Sequence, residues 1–193
     1  MSKTTLNETF FDGIDLQWKK DPWIFAYGSL MWDPGFDVLQ SKTYTLSGWS
    51  RSFCVQSWKY RGTRENPGLV LGLDRGVECA GRLLQASGND ADVVFEKLYA
   101  REMINSIYRV LYVDILIDVR AITFVADPKS PQYMPNTPIQ EKARMIAYSI
   151  GENGTNLDYL FNTMKILDQF KIHDPHLTDI AHHMKLIKSV ENF

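Results

Sequence analysis

From Trp23 onward, apolar residues arrive in short runs separated by turn formers, the spacing of strands rather than helices. The runs Trp23–Tyr27, Thr43–Trp49, Arg51–Gln56, Gly68–Leu73 and Glu78–Leu84 are predicted strands. Asp74-Arg75-Gly76 predicts a hairpin turn between the last two, with Gly76 supplying a positive φ. Upstream, residues 1–21 read as an arm with a short helix around Phe10–Trp18.

The period changes at Asn89. Residues Asn89–Met103 carry a helical stripe, with Asn89 as the expected cap and Asp92 answering it in capping-box fashion. Tyr108–Ala126 is β-branched and aromatic, too long for one strand, and predicts two strands bent near Asp118. The proline-rich stretch Asp127–Pro138 predicts an ordered loop. Helices are expected over Thr137–Ile150, from Gly154-Thr155-Asn156 to about Phe170, and from Asp174-Pro175 to about Val190. Strands first and helices last predict an α+β fold with a helical C-terminal third, in one domain spanning residues 1–193.

Two places in this pattern are out of character. In the first helix the apolar stripe Ala91, Val94, Phe95, Leu98 continues, four residues on, to Glu102. The stripe therefore aims a carboxyl group at the core, near the helix C-terminus. Both the dipole and the low dielectric resist its ionisation there, which raises its pKa and suits a general base near neutrality. The plainer alternative is a frayed helix end where Glu102 pairs with Arg101 or a nearby lysine. The second place is Tyr27-Gly28-Ser29-Leu30, where a buried strand gives way to glycine and a small hydroxyl. A strand stopping there bares N–H groups, and Gly28 allows close approach to the main chain. Such donors suit a carboxylate or a developing oxyanion, although a simple turn would carry the same residues.

Composition narrows the function classes. A net charge of −2, with no basic run, offers nothing to nucleic acid or an anionic membrane. The N-terminal residues are polar and acidic, unlike a signal peptide, and no apolar run approaches a membrane span. With Cys54 and Cys79 alone there is no disulfide framework, and a reducing cytoplasm is the expected home. Cys54 has no Cys-His signature around it, and His176, Asp179 and His183 share a helical face without a tight ligand motif. No metal and no cofactor is expected.

Several blocks occur in order along the chain: Tyr27-Gly28-Ser29-Leu30-Met31-Trp32, Arg51-Ser52-Phe53-Cys54, Tyr60-Arg61-Gly62-Thr63 leading to Pro67-Gly68-Leu69, Leu98-Tyr99-Ala100-Arg101-Glu102-Met103, Gln132-Tyr133, and G-x-x-G-x-N-x-x-Y-L over Gly151–Leu160. Together they resemble the ChaC-like γ-glutamylcyclotransferases, in particular the glutathione-specific branch, from about Trp23 to about Leu177. The resemblance implies a small β-barrel-like mixed sheet flanked by helices. It implies binding of the γ-glutamyl moiety by the backbone of Tyr27, Gly28, Ser29 and Leu30, with Phe25 and Ala26 lining the same site. It makes Glu102, already singled out by periodicity, the acid/base. Beside it, Tyr108 and Tyr133 are candidates for hydrogen bonding the substrate, and Arg51 and Arg61 for pairing with a substrate carboxylate.

The implied reaction converts glutathione to 5-oxoproline and Cys-Gly, in a monomer or weak dimer. The rivals are a cyclotransferase for other γ-glutamyl amines or peptides and a non-catalytic γ-glutamyl-binding domain. Departures from the family pattern at Ile104-Asn105-Ser106-Ile107 and Met134-Pro135-Asn136 bear on substrate choice.

Overall fold

Two eighteen-residue strands dominate the computed structural model, which describes residues 8–10, 13–14, 16–103, 106–116 and 119–191: β3 (Gln40–Ser57) and β4 (Gly68–Gln85). Each was expected as two shorter strands. In β4 the predicted hairpin at Asp74-Arg75-Gly76 is absent, and one strand runs straight through. The physical reason lies in the phase. Leu69, Leu71 and Leu73 are buried before the exposed middle Arg75–Glu78, and Cys79, Gly81 and Leu83 after it, so the inward phase is the same on both sides of that middle. Gly76 serves a close approach instead: a Cβ there would lie 1.9 Å from Ser50 Oγ. In β3 the phase does change, from Leu46 to Trp49 and Arg51 inward, across Gly48 at φ +80°. A one-residue bulge produces that switch, which makes a continuous strand read as two.

The chain divides into two compact units, residues 1–50 with 75–130 and residues 51–74 with 131–193. In the first, β1 (Glu8–Phe10) pairs antiparallel with β5 (Tyr108–Leu116), and β5 with β6 (Val119–Ala126). Next, β6 runs parallel to β2 (Trp23–Ala26), which is antiparallel to β4. The sheet order is β1-β5-β6-β2-β4-β3, and β6 also pairs with β4, so the neighbours of short β2 touch one another and the mixed sheet curls.

Helix α1 (Leu16–Lys20) begins later than the expected Phe10–Trp18, because Glu8–Phe10 is taken up as an edge strand on β5. The buried Trp18 meets Phe95 edge-on at 5.9 Å and donates from Nε1 to the Trp23 carbonyl at 2.8 Å. Helix α2 (Ala91–Glu102) starts two residues after Asn89, since Gly88–Asp90 forms a 3-10 turn capped by Ser87. Asp92 pairs with Lys19 at 2.6 Å rather than closing a capping box. The bend expected near Asp118, and Ile104-Asn105, lie outside the described residues.

The second unit holds the far half of β3, the near half of β4, and helices α3 (Ile139–Tyr148), α4 (Asn156–Gln169) and α5 (Pro175–Glu191), with α3 packed on α4 and α5. A two-residue hairpin, β7 (Ile150–Gly151) and β8 (Gly154–Thr155), precedes α4. Here two of the sequence blocks lock together. Gly151 lies so close to the Lys59–Arg61 backbone that a Cβ would come within 2.5 Å of it. The Arg61 guanidinium donates to the carbonyls of Asn153 at 2.6 Å and Thr155 at 3.1 Å. Asn156, wholly buried, accepts from Leu69 N–H at 2.6 Å and donates to the Leu69 carbonyl at 2.7 Å. No helix among the described residues is long and apolar enough to cross a membrane.

Asn156→Ala strips both partners from the buried Leu69 peptide group. At roughly 1–3 kcal/mol for each buried group left unpaired, urea denaturation is expected to show a loss of about 2–4 kcal/mol. Asn153→Ala, which leaves its carbonyl in place, is expected within about 0.5 kcal/mol of the parent protein.

Candidate functional site

Strand β2 is buried along its whole length, and its ladder with β4 stops at Ala26. The chain end is then pinned to β6: Thr123 Oγ1 donates to the Phe25 carbonyl at 3.0 Å, and the Tyr27 hydroxyl to the Phe124 carbonyl at 2.7 Å. The side chain of Tyr27 is therefore an anchor. Beyond it a 3-10 turn, Ser29–Met31, closes through Met31 N–H to the Gly28 carbonyl at 2.9 Å and Trp32 N–H to the Ser29 carbonyl at 3.1 Å. The amides of Gly28, Ser29 and Leu30 precede the first closed bond, as at any helical start, and have no hydrogen-bond partner among the described residues. Three consecutive donors are thus held on a rigid strand end.

Helix α2 buries Ala91, Val94, Phe95 and Leu98, the stripe expected from the sequence, and Glu102 is its last residue. The Glu102 side chain is only 15 % exposed. Burial pushes its carboxyl up to about 7, against the opposing pull of Arg101. Arg101 also fixes where the acid lies. Its NH2 donates to Ser29 Oγ at 3.0 Å and its NH1 to the Asp33 carbonyl at 2.7 Å, while its Nε lies 3.3 Å from Glu102 Oε1. One guanidinium therefore touches both the Ser29 hydroxyl of the turn and the acid, and Glu102 is largely kept from bulk water. The arrangement can bind an oxygen carrying negative charge on the amides and exchange a proton with a neighbouring atom through the carboxylate.

Of the other expected residues, Tyr108 opens β5, is 6 % exposed, and sits opposite Ala126 in the β5–β6 ladder of this first unit. Arg51, Arg61 and Tyr133 belong to the second unit, each with protein partners. The Arg51 guanidinium, 2 % exposed, meets the Asp174 carboxylate at 2.5 Å. Arg61 holds the β7–β8 hairpin as described. The Tyr133 hydroxyl donates to Asp74 at 2.6 Å, and burial together with that carboxylate raises its pKa. Burial pushes the Cys54 thiol up to about 12, which leaves it inert as a nucleophile. His176 Nε2 accepts from Phe53 N–H at 3.3 Å, and the described residues contain no group of three His, Cys, Asp or Glu that could hold a metal ion.

Sequence reasoning passed over Asp33 and Lys142, and gave Arg101 only the role of a surface partner. Asp33 bears no pattern signal, because only the fold brings it to Arg101. Lys142 is 4 % exposed on α3, a burial that helical spacing could have suggested, with its ammonium 3.5 Å from Ser52 Oγ.

The family model described as "ChaC-like protein" matches residues 22–187. A glutathione-specific γ-glutamylcyclotransferase of Escherichia coli (strain K12) is 36% identical over 175 residues, 89% of this chain and 75% of that protein. Glutathione-specific γ-glutamylcyclotransferase 1 of Danio rerio is 30% identical over 172 residues, 84% of this chain and 88% of that protein. In three dimensions the chain is similar to a yeast γ-glutamylcyclotransferase specific to glutathione, with a TM-score of 0.75 at 19% identity, covering 86% of this chain and 96% of that one.

The raised Glu102 pKa has a consequence for stability that needs no substrate. A carboxyl with its pKa at about 7 when folded and 4.5 when unfolded favours the unfolded chain progressively as pH rises from 4.5 to 7, and fully above 7. Glu102→Gln removes that penalty. The variant is expected to match the parent protein near pH 4.5 and exceed it above pH 7 by roughly 1–3 kcal/mol, read as the difference in urea midpoints at the two pH values.

Proposed function

Because the chain belongs to the ChaC-like family, we propose that it is a γ-glutamylcyclotransferase acting on glutathione, with Glu102 as its acid/base. The observation that supports this reading is the shared guanidinium, which contacts both a buried carboxylate whose pKa is raised to about 7 and the Ser29 hydroxyl of the turn that bears three unpartnered amides. The substrate's α-nitrogen forms a bond to its own γ-carbonyl carbon, and the bond from that carbon to the cysteinyl nitrogen breaks. The products are 5-oxoproline and Cys-Gly, with no water consumed. Nucleophile and electrophile share one molecule, so the main task is to hold the glutamyl chain curled.

Protons account for the rest. The α-ammonium sheds one proton before it attacks and a second on the way to the lactam; the departing nitrogen gains one to leave as an amine, and the other passes to solvent or to that amine once released. A carboxyl titrating near 7 is present in both forms at neutral pH and can serve as base first and acid afterwards. Gly28, Ser29 and Leu30 supply donors for a glutamyl oxygen bearing negative charge, with Phe25 and Ala26 behind them and Tyr27 as anchor. Tyr108 is a further candidate contact. The protein partners of Arg51, Arg61 and Tyr133 favour structural work for those three. The family match takes in residues of both compact units, which supports reading them as one γ-glutamylcyclotransferase-like domain. The reading places the protein in the reducing cytoplasm, where Cys54 and Cys79, not joined in a disulfide, stay thiols, as a monomer or weak dimer with a small-molecule substrate.

Incubation with glutathione is expected to release 5-oxoproline and Cys-Gly in equal amounts. Folded Glu102→Gln is expected to lose activity by ~10²–10⁴-fold. Parallel incubations with other γ-glutamyl amines and peptides fix the leaving group. Turnover of those compounds but not of glutathione would refute the substrate, and parent-like turnover by folded Glu102→Gln would refute the role of the acid.

A further inference from the structure

A base works only when held within hydrogen-bond reach of a substrate already seated on its donors. Here base and donors come from distant parts of the first unit's chain, the end of α2 and the end of β2. A helix end does not secure that spacing by itself, since terminal turns fray. The Arg101 guanidinium supplies what the helix end lacks. It grips both ends of the Ser29–Met31 segment, donating to Ser29 Oγ at 3.0 Å and to the Asp33 carbonyl at 2.7 Å, with the Asp33 carboxylate at 3.4 Å. Its remaining edge faces Glu102, Nε to Oε1 at 3.3 Å.

We propose that Arg101 is a positioning residue for the cyclisation, its rigid fork fixing the Glu102 carboxylate against the Ser29–Met31 turn and keeping that carboxylate available as a charged base. This inference rests on the cyclotransferase reading. The ordinary alternative is a partly exposed ion pair of small energetic weight. Three observations weigh against it. The contacts are to four separate groups, not one. Two of them, the Ser29 hydroxyl and the Asp33 carbonyl, are neutral and exploit geometry rather than charge. The acid at the end of the chain of contacts is 15 % exposed, so water does little to screen it.

The charged groups met around Glu102 among the described residues are Arg101, on its own helix, and Asp33, from the segment after the turn. Asp33 shares the cation but is 68 % exposed, so solvent damps its influence. The carboxyl ends of the α2 peptide dipoles add to the resistance against ionisation. Removing the guanidinium therefore leaves burial and the helix end unopposed. Lysine would restore the charge without the fork, since its ammonium is a point donor on a flexible stem. The two parts of the role are thus separable by substitution.

Two measurements on the full chain test this, each on the parent protein, Arg101→Met and Arg101→Lys. The first is a ¹³C NMR titration of the Glu102 carboxyl. The second is the pH dependence of kcat/KM for glutathione. In Arg101→Met the carboxyl titration and the acid limb are both expected to move upward by about half a pH unit or more. Its kcat is expected to fall roughly tenfold or more, as for lost orientation. Arg101→Lys is expected to titrate close to the parent protein yet retain the lowered kcat.

An unmoved titration in Arg101→Met with kcat/KM within about twofold of the parent would overturn the proposal. If Arg101→Met does not fold, parent-like kcat in folded Arg101→Lys overturns it equally. The NMR readout needs no turnover: a shifted titration in a protein that releases no 5-oxoproline would sink the cyclotransferase reading while leaving the coupling of Arg101 to Glu102 intact.

Discussion

Burying an ionisable carboxyl costs several kcal/mol unless something answers its charge. At the end of α2 the helix makes that cost larger, because the peptide dipoles present their negative end there. Glu102 sits against both penalties, and burial raises its pKa despite the opposing pull of Arg101. The neighbouring architecture follows from that balance. The stripe Ala91, Val94, Phe95 and Leu98 must pack well enough to hold the helix end down on the core. The end of β2 is held stiffly, by strands on both sides, by Thr123 of β6 donating to the Phe25 carbonyl and by Tyr27, just past β2, donating to the Phe124 carbonyl of β6. A looser scaffold would let the carboxyl turn outward and regain its ordinary acidity.

The acid was legible in the sequence because a single violation of helical patterning stands out against a regular stripe. The end of β2 was legible because Gly28 and Ser29 interrupt an apolar run. What joins the two was not. Arg101 is adjacent to Glu102 in sequence and was expected at most as its ion-pair partner at a helix end, with no hint that it would also reach the turn after β2. The contact to Ser29 spans 72 positions and exists only in the fold. The same logic covers the errors in the strands. At Asp74-Arg75-Gly76 a local turn signature competed with an alternation that keeps phase across it, and the longer-range pattern won. At Gly48 the alternation truly slips, yet as a bulge within one strand.

The blocks that mark the family divide between the proposed chemistry and the scaffold. The Leu98–Met103 block, which holds Glu102, and the Tyr60–Leu69 block together made the resemblance specific; the Tyr60–Leu69 and Gly151–Leu160 blocks work on backbone in the structure. Gly151 has no room for a side chain against Lys59–Arg61, Arg61 clamps the hairpin carbonyls, and Asn156 completes the Leu69 peptide group. Such interlocking tolerates little variation, because each partner is a main-chain group at fixed distance. That is why these blocks are easy to recognise and yet say little about catalysis. The proposed chemistry, by contrast, asks for main-chain amides, which leave no residue signature beyond a small side chain, and for one acid. An arginine expected at a substrate carboxylate from the motif alone, Arg51 or Arg61, turns out to have protein partners.

Stability and chemistry also pull in opposite directions at Glu102. A glutamine of the same shape would keep most of the packing and shed the cost of a charge held at 15 % exposure. A binding module gains nothing from retaining the acid, since amides and shape alone can hold a γ-glutamyl group. An enzyme gains a group that changes protonation state near neutral pH and can hand the same proton back at the leaving nitrogen. The presence of an acid where the fold would be better served by a neutral residue is thus an argument for turnover rather than binding. The guanidinium beside it strengthens that argument. An arginine that only repaired the burial cost would bind the carboxylate with both arms of its fork. Arg101 instead gives Glu102 one nitrogen and spends the others on Ser29 and Asp33, leaving the acid stabilised only in part, as the proposed acid/base role requires.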